Sequence, residues 1–274
     1  MLAFCHIPKA VGTSVRQILR SWYGIRHYDI SEGRGRYKFM EAEDIDWLQK
    51  RWPGLESIAS HNLSPSRELS RGNRRVQWFT LLREPVRRYI SHYQFYVNRW
   101  WGDEKIPFSE WLELDHHKNT QVTMIAGEQD LEKAKDILRN KVAVTGLQEE
   151  YHDSMMMLSS FTGKPYLPQF RKKKKNIAVS RHIQEKIYND FSRFEQKITE
   201  ANELDIKLYE FVEKELFPAQ KETYLADYNP PGSNLFATEL RMKTNWLISY
   251  FVRNCIRKPL RKDIFRVVGF GREL

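Results

Sequence analysis

The sequence has few cysteines and no long apolar run. Its two cysteines, Cys5 and Cys255, are far apart, and no Cys-x-x-Cys pair or cysteine–histidine cluster indicates a zinc site. Two free thiols are typical of a reducing compartment. No uncharged apolar stretch reaches the roughly 18 residues of a membrane-spanning helix, and no signal peptide precedes the first motif. We therefore expect a cytoplasmic protein.

The composition is that of a folded, basic protein. The 274 residues allow one large α/β domain, or one domain with an appended tail. Hydrophobic residues make up 41% and aromatic residues 13%, which argues against disorder throughout. The net charge of +10 attracts anions, and nucleotides, nucleic acid, acidic glycans and anionic lipid all fit it.

Two segments each predict a strand, a tight loop and a helix. In the first, the apolar run 2–7 is broken by Pro8 and followed by helical spacing over 13–22. In the second, the buried-strand candidate 76–82 leads through a turn into a helical pattern over 86–96. Such units build a parallel sheet that binds its ligands at the carboxyl ends of the strands.

Further elements are predicted from the same periodicity. A helix is expected over 130–139 and a short strand over 142–145. The stretch 183–216 is largely helical in pattern, with a break near Asn202.

The first chemical motif is His-Ile-Pro-Lys-Ala-Val-Gly-Thr-Ser at residues 6–14. Gly12 allows close approach of backbone N–H groups to a ligand, and Thr13 and Ser14 stand where a helix begins and anions bind well. Lys9 adds a full positive charge, so the loop suits a terminal phosphate or sulfate. It is not a Walker A loop, because Lys9 precedes the glycine instead of following it.

The second motif is Leu-Leu-Arg-Glu-Pro-Val-Arg-Arg-Tyr-Ile-Ser at residues 81–91. Arg83 leaves the end of a strand, where a guanidinium can bind a phosphate through two hydrogen bonds. Pro85 fits the first turn of the following helix, and Ser91 lies two turns further on. Arg87 and Arg88 are interpreted as solvated or ion-paired helix residues.

Together, in this order and about 70 residues apart, the two motifs resemble those of the sulfotransferase superfamily. The resemblance is to the carbohydrate branch that includes the heparan sulfate 2-O- and 6-O-sulfotransferases and their bacterial relatives. It implies a three-layer, P-loop-like α/β fold with a central parallel sheet flanked by helices. It also implies 3′-phosphoadenosine 5′-phosphosulfate (PAPS) as the sulfuryl donor, with adenosine 3′,5′-bisphosphate (PAP) as its product, and no metal.

The resemblance further implies a donor site. The 5′-phosphosulfate would be held by residues of the first motif, the 3′-phosphate by residues of the second, and a loop rich in cations at 171–175 would close over the nucleotide. The implied residues are Pro8, Lys9, Gly12, Thr13, Ser14, Val15, Arg83, Ser91, Lys174 and Asn176.

The candidate catalytic residues are Lys9 and His61. His61 lies between the two motifs, where the family often has a histidine that serves as the general base, and imidazole suits proton abstraction near neutral pH. A structural role for His61 stays open. Weaker candidates for the base are His6, His116, His117 and the carboxylate of Glu56.

The acceptor and the partners are less defined. The stretch Asn-Thr-Gln-Val-Thr-Met at 119–124 resembles a family segment that has arginine where Thr120 and Thr123 stand here, so heparan specificity does not transfer. A carbohydrate acceptor, including an anionic polysaccharide, is expected from the resemblance; lipid and protein tyrosine stay open. Trp100 and Trp101 could stack on sugars or pack between helices. No nucleic-acid-binding module is recognisable.

Two other functions stay open. One is an ATP-dependent phosphotransferase, and the other is a non-enzymatic polyanion-binding protein.

The C-terminal part changes character after the turn-rich segment 229–233. We predict a catalytic domain over 1–228 and a basic amphipathic extension over 229–274. The helical pattern at 242–256 is rich in large apolar residues and is followed by clustered cations, which is typical of an interfacial membrane contact. Packing on the catalytic domain or on a second subunit is the alternative. A domain excised from a Golgi enzyme would be lumenal.

Overall fold

The computed structural model describes residues 1–30, 39–99, 106–168, 191–229 and 235–257. Its strands are β1 (Leu2–Cys5), β2 (His27–Asp29), β3 (Ser57–Ser60), β4 (Gln77–Leu82) and β5 (Val142–Leu147). Its α-helices are α1 (Gly12–Tyr23), α2 (Ala42–Arg51), α3 (Pro85–Arg99), α4 (Phe108–Glu113), α5 (Thr120–Ala126), α6 (Leu131–Asn140), α7 (Tyr151–Thr162), α8 (Glu195–Ala201), α9 (Glu203–Phe211), α10 (Phe217–Leu225) and α11 (Leu235–Phe251). Short 3₁₀ turns cover Gly24–Arg26 and Asp115–His117, and π-helical segments cover Val212–Leu216 and Val252–Arg257.

The five strands form one parallel sheet in the order β2-β3-β1-β4-β5. In the register of the central strand, Phe4 is paired with Ala59 on one side and with Phe79 on the other. The predicted α/β fold with a central parallel sheet flanked by helices is therefore confirmed. Helices cover both faces of a parallel sheet, so its strands are apolar along their whole length. This explains why β1 is buried at every position.

The order of the sheet brings the predicted motifs together. The strands β3, β1 and β4 are neighbours, and their last residues are Ser60, Cys5 and Leu82. The segments that follow these strands contain His61, Lys9 and Arg83, respectively. Because carboxyl ends of parallel strands meet at one edge of a sheet, all three side chains belong to the same edge.

A second apolar cluster fixes α3 beside this edge. It joins α3 to α4 and α8 through Tyr89, Tyr93, Phe108, Trp111 and Ile198. The rings of Tyr93 and Phe108 lie 4.8 Å apart. Since α3 carries Ser91, this packing sets the position of one of the predicted donor residues.

The C-terminal helix α11 packs against α1. Met242 is buried, and the Asn245 side chain donates a hydrogen bond of 3.1 Å to the carbonyl of Ser21 in α1. The division into 1–228 and 229–274 stays a prediction. Over the described ranges, no helix combines the length and the apolar character needed to cross a membrane.

Candidate active site

The loop between β1 and α1 has an unusual backbone. Lys9 and Val11 have φ angles of 68° and 52°, in the left-handed region that residues with a Cβ rarely adopt. Val11 is the residue before α1 and caps it with no side-chain hydrogen bond. The amide groups of Gly12 and Thr13 precede the first intrahelical hydrogen bond, so the start of α1 offers donors to an anion.

Gly12 is also constrained by a close neighbour within the fold. A Cβ at this position would lie 1.8 Å from the imidazole of His6, so the glycine makes room for a neighbouring side chain. Pro8 and the Val15 side chain are also buried. Any donor contact by Val15 would therefore come from its backbone, whereas Thr13 is exposed and Ser14 is half-buried.

Two cations converge at this loop. Arg83 Nη1 donates a 3.0 Å hydrogen bond to the carbonyl of Lys9. The Lys9 ammonium lies 4.4 Å from the centre of the Phe95 ring in α3. The pKa of Lys9 is lowered, first by burial and then by the charge of Arg83. An anion between them would relieve both effects.

Arg83 also has unused hydrogen-bonding capacity. Its Nε atom is buried and has no hydrogen-bond partner among the described residues. Burial is the main cause that lowers the pKa of Arg83, and the carboxylates of Glu149 and Glu84 oppose it. Glu84 is already engaged, since its carboxylate accepts hydrogen bonds from the N–H groups of Val86 and Arg87 at the start of α3. A buried donor without a partner is costly and points to a ligand.

The backbone of Arg83 is held by Gln121. The Arg83 N–H donates to Gln121 Oε1 at 3.0 Å, and Gln121 Nε2 donates to the Arg83 carbonyl at 2.9 Å. Gln121 is itself fixed by Asp205, whose carboxylate accepts the N–H groups of Gln121 and Val122. Asp205 also lies 3.8 Å from the buried guanidinium of Arg88. The sequence analysis did not identify this support, which joins residues far apart in the chain.

His61 lies beside the same loop, and its hydrogen bond defines the tautomer of its ring. Its ring stacks on that of His6 with centroids 3.8 Å apart, and Nδ1 bonds to the carbonyl of His6. A carbonyl only accepts, so Nδ1 carries the hydrogen and Nε2 is the basic nitrogen. Burial lowers the pKa of His61 to about 4, although the bond to His6 opposes this. His61 is therefore neutral at pH 7.

Helix α3 contributes further groups. Ser91 lies one turn before Phe95 on the same face of α3, and the Phe95 ring contacts Lys9. His92 was missed by the sequence analysis. Burial lowers its pKa, followed by the charges of Arg88, His117, Lys9 and His61. The only sequence signal was its position directly after Ser91.

The other predicted residues fall elsewhere. Glu56 precedes β3, and its carbonyl accepts the N–H of Leu2, so it lies at the amino edge of the sheet, away from the loop. Its carboxylate pairs with Arg26, which makes Glu56 a poor candidate for the base. Lys174 and Asn176, the cations at 171–175 and the pair at 100–101 lie outside the described residues.

Comparison with known proteins identifies one family. The profile described as "Sulfotransferase family" matches residues 1–212, which include both motifs, His61 and the Gln121–Asp205 support. No curated protein sequence matches the chain.

Proposed function

Because the chain belongs to the sulfotransferase family, we propose that it transfers a sulfuryl group from PAPS to a hydroxyl group of a carbohydrate. The observation that carries the proposal is the convergence of Lys9, Arg83 and the start of α1 at one edge of the sheet. The buried Nε of Arg83 has no hydrogen-bond partner among the described residues. A 3′-phosphate would supply the acceptor that this Nε atom lacks.

The two ends of the donor would be recognised by different groups. Lys9, Ser14 and the amide groups of Gly12 and Thr13 suit the 5′-phosphosulfate, because they combine a full charge with the positive end of a helix dipole. Arg83 and Ser91 suit the 3′-phosphate.

In the reaction, His61 Nε2 takes the proton of the acceptor hydroxyl. The acceptor oxygen forms a bond to sulfur while the bond between sulfur and the oxygen of the 5′-phosphate breaks in line. The electron pair of that bond stays on the phosphate, and PAP leaves. Lys9 and the amide groups at the start of α1 stabilise the charge that develops on the departing phosphate. His61 afterwards returns its proton to solvent.

Transfer assays with PAPS and with ATP plus magnesium separate the proposal from its rivals. Sulfate transfer from PAPS to an oligosaccharide, without transfer from ATP, is the expected result. Phosphoryl transfer from ATP would identify a phosphotransferase. Heparin binding without selective binding of PAP would identify a polyanion-binding protein.

We also propose that the enzyme works in the cytoplasm. Cys5 is buried and Cys255 exposed, and both are free thiols, which suits a reducing compartment. Fractionation of cells that express the tagged chain tests this, and recovery from an oxidising compartment would contradict it.

A further inference from the structure

A cavity of about 670 Å³ opens beside the candidate active site. Its walls come from the 3₁₀ turn Asp115–His117, from α5 and from Phe39. Thr120, Thr123 and Glu128 are among the residues that line it. The volume is in the range of roughly 300–1,000 Å³ that is typical of small-molecule sites.

Three connections place this cavity near His61. Phe39 adjoins Met40, whose N–H donates a 2.9 Å hydrogen bond to the carbonyl of Asn62, the residue after His61. Met124, also in the wall, accepts a hydrogen bond from Cys5 Sγ at the end of β1. The cavity therefore borders the edge of the sheet at which the sulfuryl group would be transferred.

A third connection runs through histidines. The ring of His117, which lines the cavity, lies 5.0 Å from that of His92. The pKa of His92 is in turn affected by Lys9 and His61.

Those lining residues that the structure describes carry no net positive charge. Lys118 is paired with Asp115 at 2.9 Å, and the two charges offset each other. Burial is the main cause that lowers the pKa of His117 to about 3, so its ring is neutral at pH 7. Glu128 adds a carboxylate that pairs with Lys133.

The remaining wall suits an uncharged sugar. The hydroxyls of Thr120 and Thr123 donate to the carbonyls of His117 and Asn119, which leaves their oxygen atoms able to accept hydrogen bonds from a ligand hydroxyl. Phe39 and Met124 add apolar surface for the C–H faces of a sugar ring. Sulfates and uronates would instead require arginine or lysine opposite them.

We propose that this cavity binds the acceptor and selects an uncharged, hydroxyl-rich sugar over a sulfated or uronate-containing polysaccharide. The inference rests on the proposed sulfuryl transfer. It replaces the expectation of an anionic polysaccharide with a narrower substrate class.

The test compares two classes of acceptor with PAPS as donor. Chitotetraose and maltotetraose are the uncharged probes, and a heparin-derived tetrasaccharide is the anionic probe. We expect turnover on an uncharged probe to exceed turnover on the anionic one. Thr123→Arg should reduce kcat/KM for the uncharged probe by roughly 10-fold or more, with unchanged affinity for PAP.

Thr223→Arg is the matched control. Thr223 is an exposed helix residue whose hydroxyl donates to the carbonyl four residues earlier, as that of Thr123 does, and this variant should behave as wild type. If Thr123→Arg does not fold, Glu128→Lys at the exposed rim should lower the ratio of uncharged to anionic turnover several-fold.

Equal or greater turnover of wild type on the anionic probe, or no turnover on either uncharged probe, would overturn the inference. Failure to bind PAP would instead overturn the proposed function.

A second, independent observation concerns helix α11. One side of the helix packs on α1, while the other exposes Lys243, Tyr250 and four further large apolar side chains. These are Phe236, Leu240, Leu247 and Phe251, with 78%, 56%, 59% and 61% of their surface exposed. At 3.6 residues per turn they fall on one stripe, which we call the apolar stripe.

The sequence beyond the apolar stripe is strongly basic, with Arg253, Arg257, Lys258, Arg261 and Lys262. An exposed apolar helix face followed by clustered cations matches an anionic lipid surface in both hydrophobicity and charge. We propose that the apolar stripe rests on such a surface and keeps the enzyme at a membrane without crossing it.

Sedimentation with phosphatidylcholine vesicles, with and without phosphatidylserine, tests this second proposal. Leu247→Gln should weaken binding to the anionic vesicles roughly 10-fold, since one aliphatic side chain that the membrane would bury is lost. Ile25→Gln is the control, because Ile25 is 54% exposed and adjoins Gly24, which lies against Asn245 on the side of α11 opposite the apolar stripe. Equal binding by both variants, or a dimer that Leu247→Gln dissociates, would overturn the membrane assignment.

Discussion

Val11 is a β-branched residue at a φ of 52°, and we predict that Val11→Gly stabilises the protein. The left-handed conformation costs a residue with a Cβ about 1–2 kcal/mol. Glycine avoids this cost but loses about 0.5–1 kcal/mol more conformational entropy on folding. Val11 is also a partly buried side chain packed against the core, so its removal takes back part of this gain. We expect a net gain below about 1 kcal/mol in the free energy of unfolding, which is a rise of less than about 4 °C in Tm for a chain of this size.

Differential scanning calorimetry of wild type and Val11→Gly measures this change in Tm. Ala10→Gly is the matched control, because Ala10 lies in the same loop, is buried and has no positive φ. The control should lose stability, since it gains flexibility without relieving strain. A Val11→Gly variant that melts below wild type, as the control should, would show that the loop is not strained at this position.

Three further predictions concern charge and protonation. Lys9→Ala should keep the fold and reduce kcat on the order of 10²–10³-fold, because one charge that stabilises the transition state is lost; near-normal turnover would contradict this role. His61→Ala should abolish transfer and leave PAP affinity nearly unchanged in calorimetry, since a base contacts the acceptor; loss of nucleotide affinity would mean that His61 is structural. Burial lowers the pKa values of His61 and His117 to about 4 and 3, so between those values and pH 6.5 only the unfolded chain binds these two protons. The free energy of unfolding should therefore keep the full contribution of both histidines above about pH 6.5 and decrease as the pH falls toward 4. Each histidine contributes about 1.4 kcal/mol per pH unit in that window, and urea titrations from pH 7 to 5 that show no decrease would refute it.

The strands that could be predicted were those with continuous apolar runs. The runs predicted for β1 and β4 match the strands Leu2–Cys5 and Gln77–Leu82 to within a few residues. β2 (His27–Asp29) and β3 (Ser57–Ser60) were missed, because they are short and contain polar residues. Their polar groups are satisfied by partners distant in sequence, as when the His27 ring in β2 and the Ser57 hydroxyl in β3 hydrogen-bond at 3.1 Å. A local pattern does not reveal such pairs.

In the site, too, residues within a local motif could be predicted, whereas contacts between distant segments could not. Lys9 and Arg83 were identified because each stands in a local motif after a strand, and the neighbouring positions of β1 and β4 bring them together. The clamp of Gln121 on Arg83 and its support by Asp205 depend on contacts across 38 and 84 residues of sequence. Periodicity and composition carry no information at that range. The steric constraint that His6 places on Gly12 likewise appears only once the loop is folded.

The central claim is that the site recognises a nucleotide with a 3′-phosphate through Arg83. Titration calorimetry of PAP and adenosine 5′-phosphate with wild type, Arg83→Ala and Arg87→Ala tests it most directly, since Arg87 is an exposed arginine on the same motif. We expect wild type to prefer PAP and Arg83→Ala to lose about 1.5–3 kcal/mol of binding free energy for PAP alone, while Arg87→Ala behaves as wild type. Equal affinity of wild type for both nucleotides, or equal losses for both in Arg83→Ala, would contradict the account.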